Sequence, residues 1–242
     1  MYLSGRATTN TGTAIATVGS HQNVYGGGVV DGFVAKFNSN GVRQWGTYYG
    51  NAAINEIYSC ATDGAGNVYA CGLTQGNAGG IATPGSHQST FGGGHPGSSN
   101  YEAFLVKFNS SGVRQWGTYY GGTGDEIGWH CATDISGNVY MAGVTSSTNG
   151  ASIATGGAHQ PLYGGGTGEA FLVKFNSNGV RQWGTYYGGA GNNDAGHYCA
   201  ADGSGNVYLT GATTTGSSTI IATPGAHQTL YGGNYDAFLV KF

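Results

Sequence analysis

One ten-residue phrase is written into this chain three times. Residues 41–50 read Gly-Val-Arg-Gln-Trp-Gly-Thr-Tyr-Tyr-Gly, and the same residues return at 112–121 and 179–188. A second phrase, Phe-Val-Ala-Lys-Phe beginning at Phe33, returns as Phe-Leu-Val-Lys-Phe at Phe104, Phe171 and Phe238. Its lysines stand at 36, 107, 174 and 241, spacings of 71, 67 and 67 residues. Repetition at so long and regular a period marks an array of like units before any residue propensity is weighed. It also weighs against a single catalytic centre. An enzyme site needs different residues converging on one place, whereas a tandem array offers the same residues at several.

Charged residues make up 8% of the chain, against roughly 25% in an ordinary soluble domain. They are rationed by the repeat: seven of the eight basic residues are the four lysines above and Arg43, Arg114 and Arg181, with Arg6 outside both series. Each repeated charge is therefore expected to do one structural job per unit. Glycine accounts for 49 of 242 residues, yet aromatics reach 12%, enough to bury a core. The net charge of −3, with no basic stripe, argues against a nucleic-acid partner. No apolar run approaches the roughly 18 residues of a membrane helix, so no membrane insertion is expected.

Each period holds four strand-like segments rich in Val, Phe, Tyr, Trp and Thr and bounded by Gly, Asn and Ser. Alternation places Phe104, Val106 and Phe108 on one face and Leu105 on the other; Trp116 and Tyr120 share a face, opposite Val113 and Tyr119. A sheet apolar on both faces must be covered on both, and no segment has helical periodicity over ten residues. Copies of the sheet stacked on one another satisfy this. The expected fold is all-β, a β-propeller of four-stranded antiparallel blades with a period of about 67–71 residues and incomplete blades at both ends. Its expected parts are a partial blade lacking its inner strand at 1–56, blades at 57–122 and 127–189, and a partial blade lacking its outer strand at 195–242, fourteen strands in all. Residues 1–5 align with residues 207–211, which places the start within a second strand and the end within a third.

The phrases Asp-Gly-Ala-Gly-Asn-Val-Tyr at 63–69, Ala-Thr-Pro-Gly-Ser-His-Gln at 82–88, Tyr-Gly-Gly at 231–233 and Asp-Ala-Phe at 236–238 recur in kind in each unit. They resemble the bacterial SBBP β-propeller repeat, over essentially the whole chain. The resemblance implies a propeller in a large secreted or surface protein of Bacteroidota-like bacteria, with an extracellular or cell-surface location. It implies no enzyme activity, since that family brings no catalytic residues to carry over.

Three readings of the unequal ends stay open: a segment of a longer repeat protein, copies that complete one another's blades in an oligomer or filament, or a compact four-bladed ring with two incomplete blades. Self-association, or other repeats of a longer chain, is the expected partner, and a glycan the alternative one. No cofactor is expected.

The second-to-third connections run to roughly twenty-five residues, where about 4–6 is usual, and are expected to decorate one side of the disc. Each carries a His-Gln pair, at His21, His87, His159 and His227, followed by an aromatic, Tyr25, Phe91, Tyr163 or Tyr231. These eight residues are the candidate ligand-binding set, read either as imidazoles lining a ligand or metal site or as one buried histidine per loop, bonded to its own blade. Glu56, Asp125, Glu126 and Asp194, in the fourth-to-first loops, are calcium candidates, whereas Asp63, Asp134 and Asp202 read as turn formers. His130 lies beside Cys131, but adjacent strand residues face opposite ways and cannot form a nucleophile–base pair. Cys60, Cys131 and Cys199 hold equivalent inner-strand positions. Cys71 lies across a hairpin from Cys60, and a Cys60–Cys71 disulfide is the candidate bridge. His95 sits in a loop insertion. The repeated tryptophans suit a core, or a carbohydrate-binding surface as the alternative function.

Overall fold

The computed structural model describes residues 1–8, 14–76, 79–93, 99–216 and 218–242; His95 lies outside them. The chain is all-β, with fourteen strands among the described residues in four antiparallel sheets. Sheet I contains β1 (Tyr2–Ala7), β2 (Asp31–Phe37) and β3 (Arg43–Tyr49). Sheet II contains β4 (Asn55–Thr62), β5 (Val68–Gln75), β6 (Tyr101–Phe108) and β7 (Arg114–Tyr120). Sheet III contains β8 (Glu126–Thr133), β9 (Val139–Thr145), β10 (Glu169–Phe175) and β11 (Arg181–Tyr187). Sheet IV contains β12 (Ala195–Ala201), β13 (Val207–Thr213) and β14 (Asp236–Lys241). Strand order follows chain order in every sheet. Two four-residue helices, α1 (Gly150–Ile153) and α2 (Ser218–Ile221), sit within the long connections. Asn55 and Glu56 open β4, and Glu126 opens β8, so the unit boundaries fall one to two residues earlier than the repeat phrases suggest.

Consecutive sheets pack face to face, each through the first strand of the later sheet. The alternation read from sequence places the core. Phe104, Val106 and Phe108 of β6 join Val34, Trp45 and Tyr49 of sheet I, while Leu105 faces Cys131, Met141 and Phe171 of sheet III. Tyr140, Leu172 and Tyr187 repeat the arrangement against Leu209 and Phe238 of sheet IV. Val113 differs from expectation. It is 57% exposed, like Val42 at 57% and Val180 at 56%, because it stands in the hairpin turn just before the strand begins.

Polar bonds recur between sheets, the tryptophan and lysine ones at two of the three interfaces and the tyrosine one at all three. Trp45 and Trp116 donate from Nε1 to the turn carbonyls of Ser110 and Ser177 in the following sheet, at 3.0 and 3.1 Å. Lys36 and Lys107 reach the same two carbonyls at 2.8 and 2.9 Å. Tyr49, Tyr120 and Tyr187 donate to the carbonyls of Ile81, Ile153 and Ile221, at 2.5, 2.5 and 2.6 Å. Arg43, Arg114 and Arg181 hold loop carbonyls of their own sheets. Five of the seven repeated charges thus bind backbone acceptors, while Lys174 lies beside Asp134 and over the Tyr140 ring, and Lys241 lies over the Tyr208 ring.

The long connections do more than decorate a side. Those of sheets I, II and III run back along the outer strand of their own sheet and pair with it: Thr17, Thr83 and Thr155 donate their N–H to Gly46, Gly117 and Gly184, each at 2.9 Å. Tyr48, Tyr119 and Tyr186 donate to Gln22, Gln88 and Gln160 at 3.0, 3.1 and 3.1 Å. An open sheet edge presents unpaired backbone groups and invites aggregation; here the loop covers it.

Candidate functional site

The His-Gln pair is the anchor of each long loop, and the glutamine does the anchoring. Gln88 and Gln160 donate Nε2 to buried acids that open the third strands, Glu102 and Glu169, and accept on Oε1 from Gly121 and Gly188 at 3.0 Å each. The same acids accept from Gly92 and Gly164, at 2.7 and 2.6 Å. Asp31 and Asp236 hold the equivalent position, accepting from Gly26 and, at 2.6 Å, Gly232. This acid series, two residues before each repeated Phe, was not singled out from the sequence; its fixed offset from Phe33, Phe104, Phe171 and Phe238 is the signal that marks it.

The histidines project the other way, onto the following sheet. His21 packs on Tyr49 and Phe108, His87 on Tyr120 and Phe175, and His159 on Tyr187 and Phe242, with ring centroids 5.6–6.1 Å apart. Burial, with Arg114 near His21 and Arg181 near His87, lowers both imidazoles to about 4. Each ring belongs to a different sheet interface, so the histidines do not meet. Nor are they buried in their own sheets; the rings keep one side exposed. The loop aromatics fold edge-on over their own outer strands: Tyr25 on Tyr48, Phe91 on Tyr119 and Tyr163 on Tyr186, each at 5.8 Å. Tyr231 lacks such a ring contact among the described residues and lines an open cleft beside β14.

The calcium candidates have donors for company. Glu56 binds Arg6 at 2.9 Å and Tyr58 Oη at 2.7 Å. Asp125 accepts from the N–H groups of Ser99 and Tyr101, Glu126 from Gly122 and Thr145, and Asp194 from Gly189, Thr213, Thr214 and Thr215. Among the described residues no group of three or more His, Cys, Asp or Glu side chains is placed to hold a metal. Asp63, Asp134 and Asp202 each accept from two N–H groups of their own turns.

Glu102 and Glu126 flank Gly121, and both are buried. Burial, augmented by the Glu126 charge, raises Glu102 to about 8, so it is mainly a neutral acid at pH 7. Glu169 is raised to about 7 by the same causes, with Asp194 as its neighbour.

The Cys60–Cys71 bridge is not formed; all four cysteines are free thiols. The register pairs Ser59 with Cys71 and Cys60 with Ala70. Cys60 therefore faces sheet I and Cys71 faces sheet III, on opposite sides of one sheet. The histidine beside Cys131 meets a different cysteine: His130 Nδ1 lies 3.8 Å from Cys199 Sγ of sheet IV. That nitrogen already accepts from the Cys199 N–H at 3.4 Å, and burial pushes the thiol pKa up, so the pair is not an activated nucleophile.

A second surface went unseen in the sequence. Each inner strand carries a bulge, and the bulged residues Tyr58, Trp129 and His197 fall outside the ladder. They form a row across three sheets, with centroids 4.8 Å apart between Tyr58 and Trp129 and 6.5 Å between Trp129 and His197. The signal was the in-strand glycine at 72, 143 and 211. A Cβ at any of these would strike the carbonyl of Glu56, Ile127 or Ala195 on the bulging strand.

No family model and no curated protein matches this chain.

Proposed function

We propose that the four sheets are successive blades of a β-propeller, and that the chain is a non-catalytic repeat module of a secreted or cell-surface protein, structural or adhesive in role and akin to the SBBP repeats. The recurrence of one interface carries this reading. The Tyr49, Tyr120 and Tyr187 bonds to Ile81, Ile153 and Ile221 relate each sheet to the next in the same way, and repetition of one rotation generates an axis. The repeated charges support a scaffold role, because five of the seven are spent on backbone carbonyls of the fold.

Self-association belongs to the same reading. Leu239 on the outer face of sheet IV is 75% exposed, while its counterparts Leu105 and Leu172 are fully buried against a following sheet. Leu3 on the far face of sheet I is 53% exposed, and its counterpart Ala70 is buried. The two terminal faces are thus of the kinds that pair inside the chain. Electron microscopy of the purified chain, with light scattering over a concentration series, tests both parts. Particles with sheets arranged radially and a mass rising with concentration are expected; a linear solenoid overturns the propeller, and a concentration-independent monomer overturns self-association.

Carbohydrate binding is the second reading, and the Tyr58–Trp129–His197 row favours it, since aromatic faces stack on sugar rings. A glycan array with the chain and its Trp129→Ala variant separates the two readings: binding lost in the variant favours the lectin role, and an array without signal removes it.

A further inference from the structure

We infer that Glu102 with Glu126, and Glu169 with Asp194, form two proton-operated latches. Each pair holds one proton, and that proton keeps a long loop closed over the outer strand of its sheet. Its loss, as the solution turns alkaline, loosens the loop.

The repeated phrase ends in Gly50, Gly121 and Gly188, and two polar side chains flank each of these glycines. Glu102 and Glu126 flank Gly121, and Glu169 and Asp194 flank Gly188, so close that one added Cβ would press on both. All four acids are buried, and neither ion pair among the described residues involves them. The charge that acts on Glu102 is that of Glu126, on Glu126 that of Asp125, and on Glu169 that of Asp194. The phenols that face them, Tyr119, Tyr120, Tyr163 and Tyr186, are neutral, because burial raises each of them. His87 turns its ring away onto Tyr120 and Phe175 and is neutral as well. Arg181, beside Tyr120, is spent on the Ser152 carbonyl at 2.9 Å. Two carboxylates so placed, with no cation paired to them, do not both ionise in neutral solution.

The first unit shows what the proton stands in for. Around Gly50 the pair is Asp31 and Asn55, an acid and an amide, both buried. Asn55 holds the place of Glu126 and Asp194. Its Oδ1 accepts from Thr74 at 2.7 Å, as Glu126 Oε1 accepts from Thr145 and Asp194 Oδ1 from Thr213, each at 2.6 Å. Its Nδ2 donates to Asp31 Oδ1 at 3.5 Å. An amide carries the hydrogen that a carboxylate lacks. Where Glu126 or Asp194 stands instead, one acid of the pair supplies that hydrogen by staying protonated. Burial, with Glu126 as neighbour, raises Glu102 to about 8, and burial, with Asp194 as neighbour, raises Glu169 to about 7.

The same acids tie down the loops. Glu102 accepts from Gln88 Nε2 and from the Gly92 N–H. Gln88 in turn accepts the Tyr119 N–H on its carbonyl at 3.1 Å and the Gly121 N–H on Oε1 at 3.0 Å. Glu169, Gln160, Tyr186 and Gly188 repeat the set in sheet III. The second acid of each pair belongs to the following sheet, where Glu126 opens β8 and Asp194 immediately precedes β12. Losing the proton therefore sets a second charge between a loop and the neighbouring sheet. The sheet side is fixed, since Glu126 is paired with Thr145 in the ladder. The loop side borders solvent, with Thr90 and Leu162 exposed, so relief comes from the loop and its acid moving out. An acid released to solvent returns from about 8 towards 4.5, and opening sheds a proton between those values. The open fraction thus rises about tenfold per pH unit across that span and levels off above it.

Amide exchange of the full chain, followed by nuclear magnetic resonance from pH 6 to pH 8 and corrected for the intrinsic pH dependence of exchange, reads the latch. The Tyr48, Tyr119 and Tyr186 amides donate to their loops at equivalent places, so one sample holds two latches and its own control. Tyr119 is expected to lose at least about tenfold more protection than Tyr48 over this range. Asn55→Asp builds a third acid pair and is expected to give Tyr48 the same loss. Glu126→Gln is expected to shrink the loss at Tyr119 and leave that at Tyr186 in place. Infrared spectra are expected to show a protonated-carboxyl absorption at pH 6 that is gone by pH 10 and is weaker in Glu126→Gln. Where that variant fails to fold by circular dichroism, Asn55→Asp carries the test. Equal losses at Tyr48 and Tyr119 in the unaltered chain overturn the latch, as does an Asn55→Asp chain whose Tyr48 amide is unmoved. No protonated-carboxyl absorption at pH 6 overturns the shared proton.

Discussion

The indole of Trp116 donates to the carbonyl of Ser177, a residue in the turn of the next sheet, at 3.1 Å. Trp183 occupies the same position one unit later and borders an open cavity instead. Trp116→Phe removes a bond and part of a buried ring, a loss of about 2 kcal/mol. Trp183→Phe is expected to cost less, because its indole faces the cavity. Urea denaturation of the two variants checks the order.

Glycine at the end of the fourth strand is required by the acids around it. A Cβ at Gly121 would press on Glu126 and Glu102, and one at Gly188 on Asp194 and Glu169. Gly121→Ala is expected to lose about 3 kcal/mol or more, through overpacking and displaced buried carboxyls. Gly225→Ala, at a positive φ of 84° with nothing within 4 Å of the new Cβ, is expected to cost only about 1 kcal/mol of backbone strain. Thermal melts compare them.

The raised acids and lowered histidines make opposite contributions to pH dependence. Glu102, at about 8 when folded and near 4.5 unfolded, binds more protons in the native state between those values. Its contribution is full below pH 4.5 and is lost as pH rises to about 8. His21 and His87, at about 4 when folded and 6.5 unfolded, bind fewer protons in the native state. Their contribution is full above pH 6.5 and is lost as pH falls towards 4. A His21→Phe, His87→Phe double variant is expected to flatten the acid limb of a melting-temperature profile and leave the alkaline decline from Glu102 in place. An unchanged acid limb would count against the packed, neutral histidines.

All four thiols are expected to alkylate in denaturant without reductant. In the native chain Cys71 is expected to react slowest, since it is fully buried and burial pushes its pKa well up. Mass spectrometry reads both, and a mass lacking two adducts would reinstate a bridge.

Repetition and alternation made most of the sheet arrangement legible. Fourteen strands, their order, and the opposite facing of Phe104 and Leu105 follow from residue spacing, because side-chain direction in a strand has period two whatever the surroundings. The turn roles of Asp63, Asp134 and Asp202 were legible for the same reason: a bond to a backbone group two residues away is local.

Contacts between units were decided by the tertiary structure. Cys60 and Cys71 look like neighbours across a hairpin, but the turn from Asp63 to Asn67 pairs Cys60 with Ala70 and Ser59 with Cys71, which sets the two cysteines on opposite faces. His130 stands beside Cys131 in sequence and meets Cys199 in space, 69 residues away. The long loops read as free decoration, yet they close the outer edges, because open strand edges need backbone partners that composition does not reveal. Sequence determined what each unit is made of, since that depends on local spacing. Which groups of neighbouring units touch depended on how far each sheet turns relative to the last, a quantity set by packing and carried by no single residue.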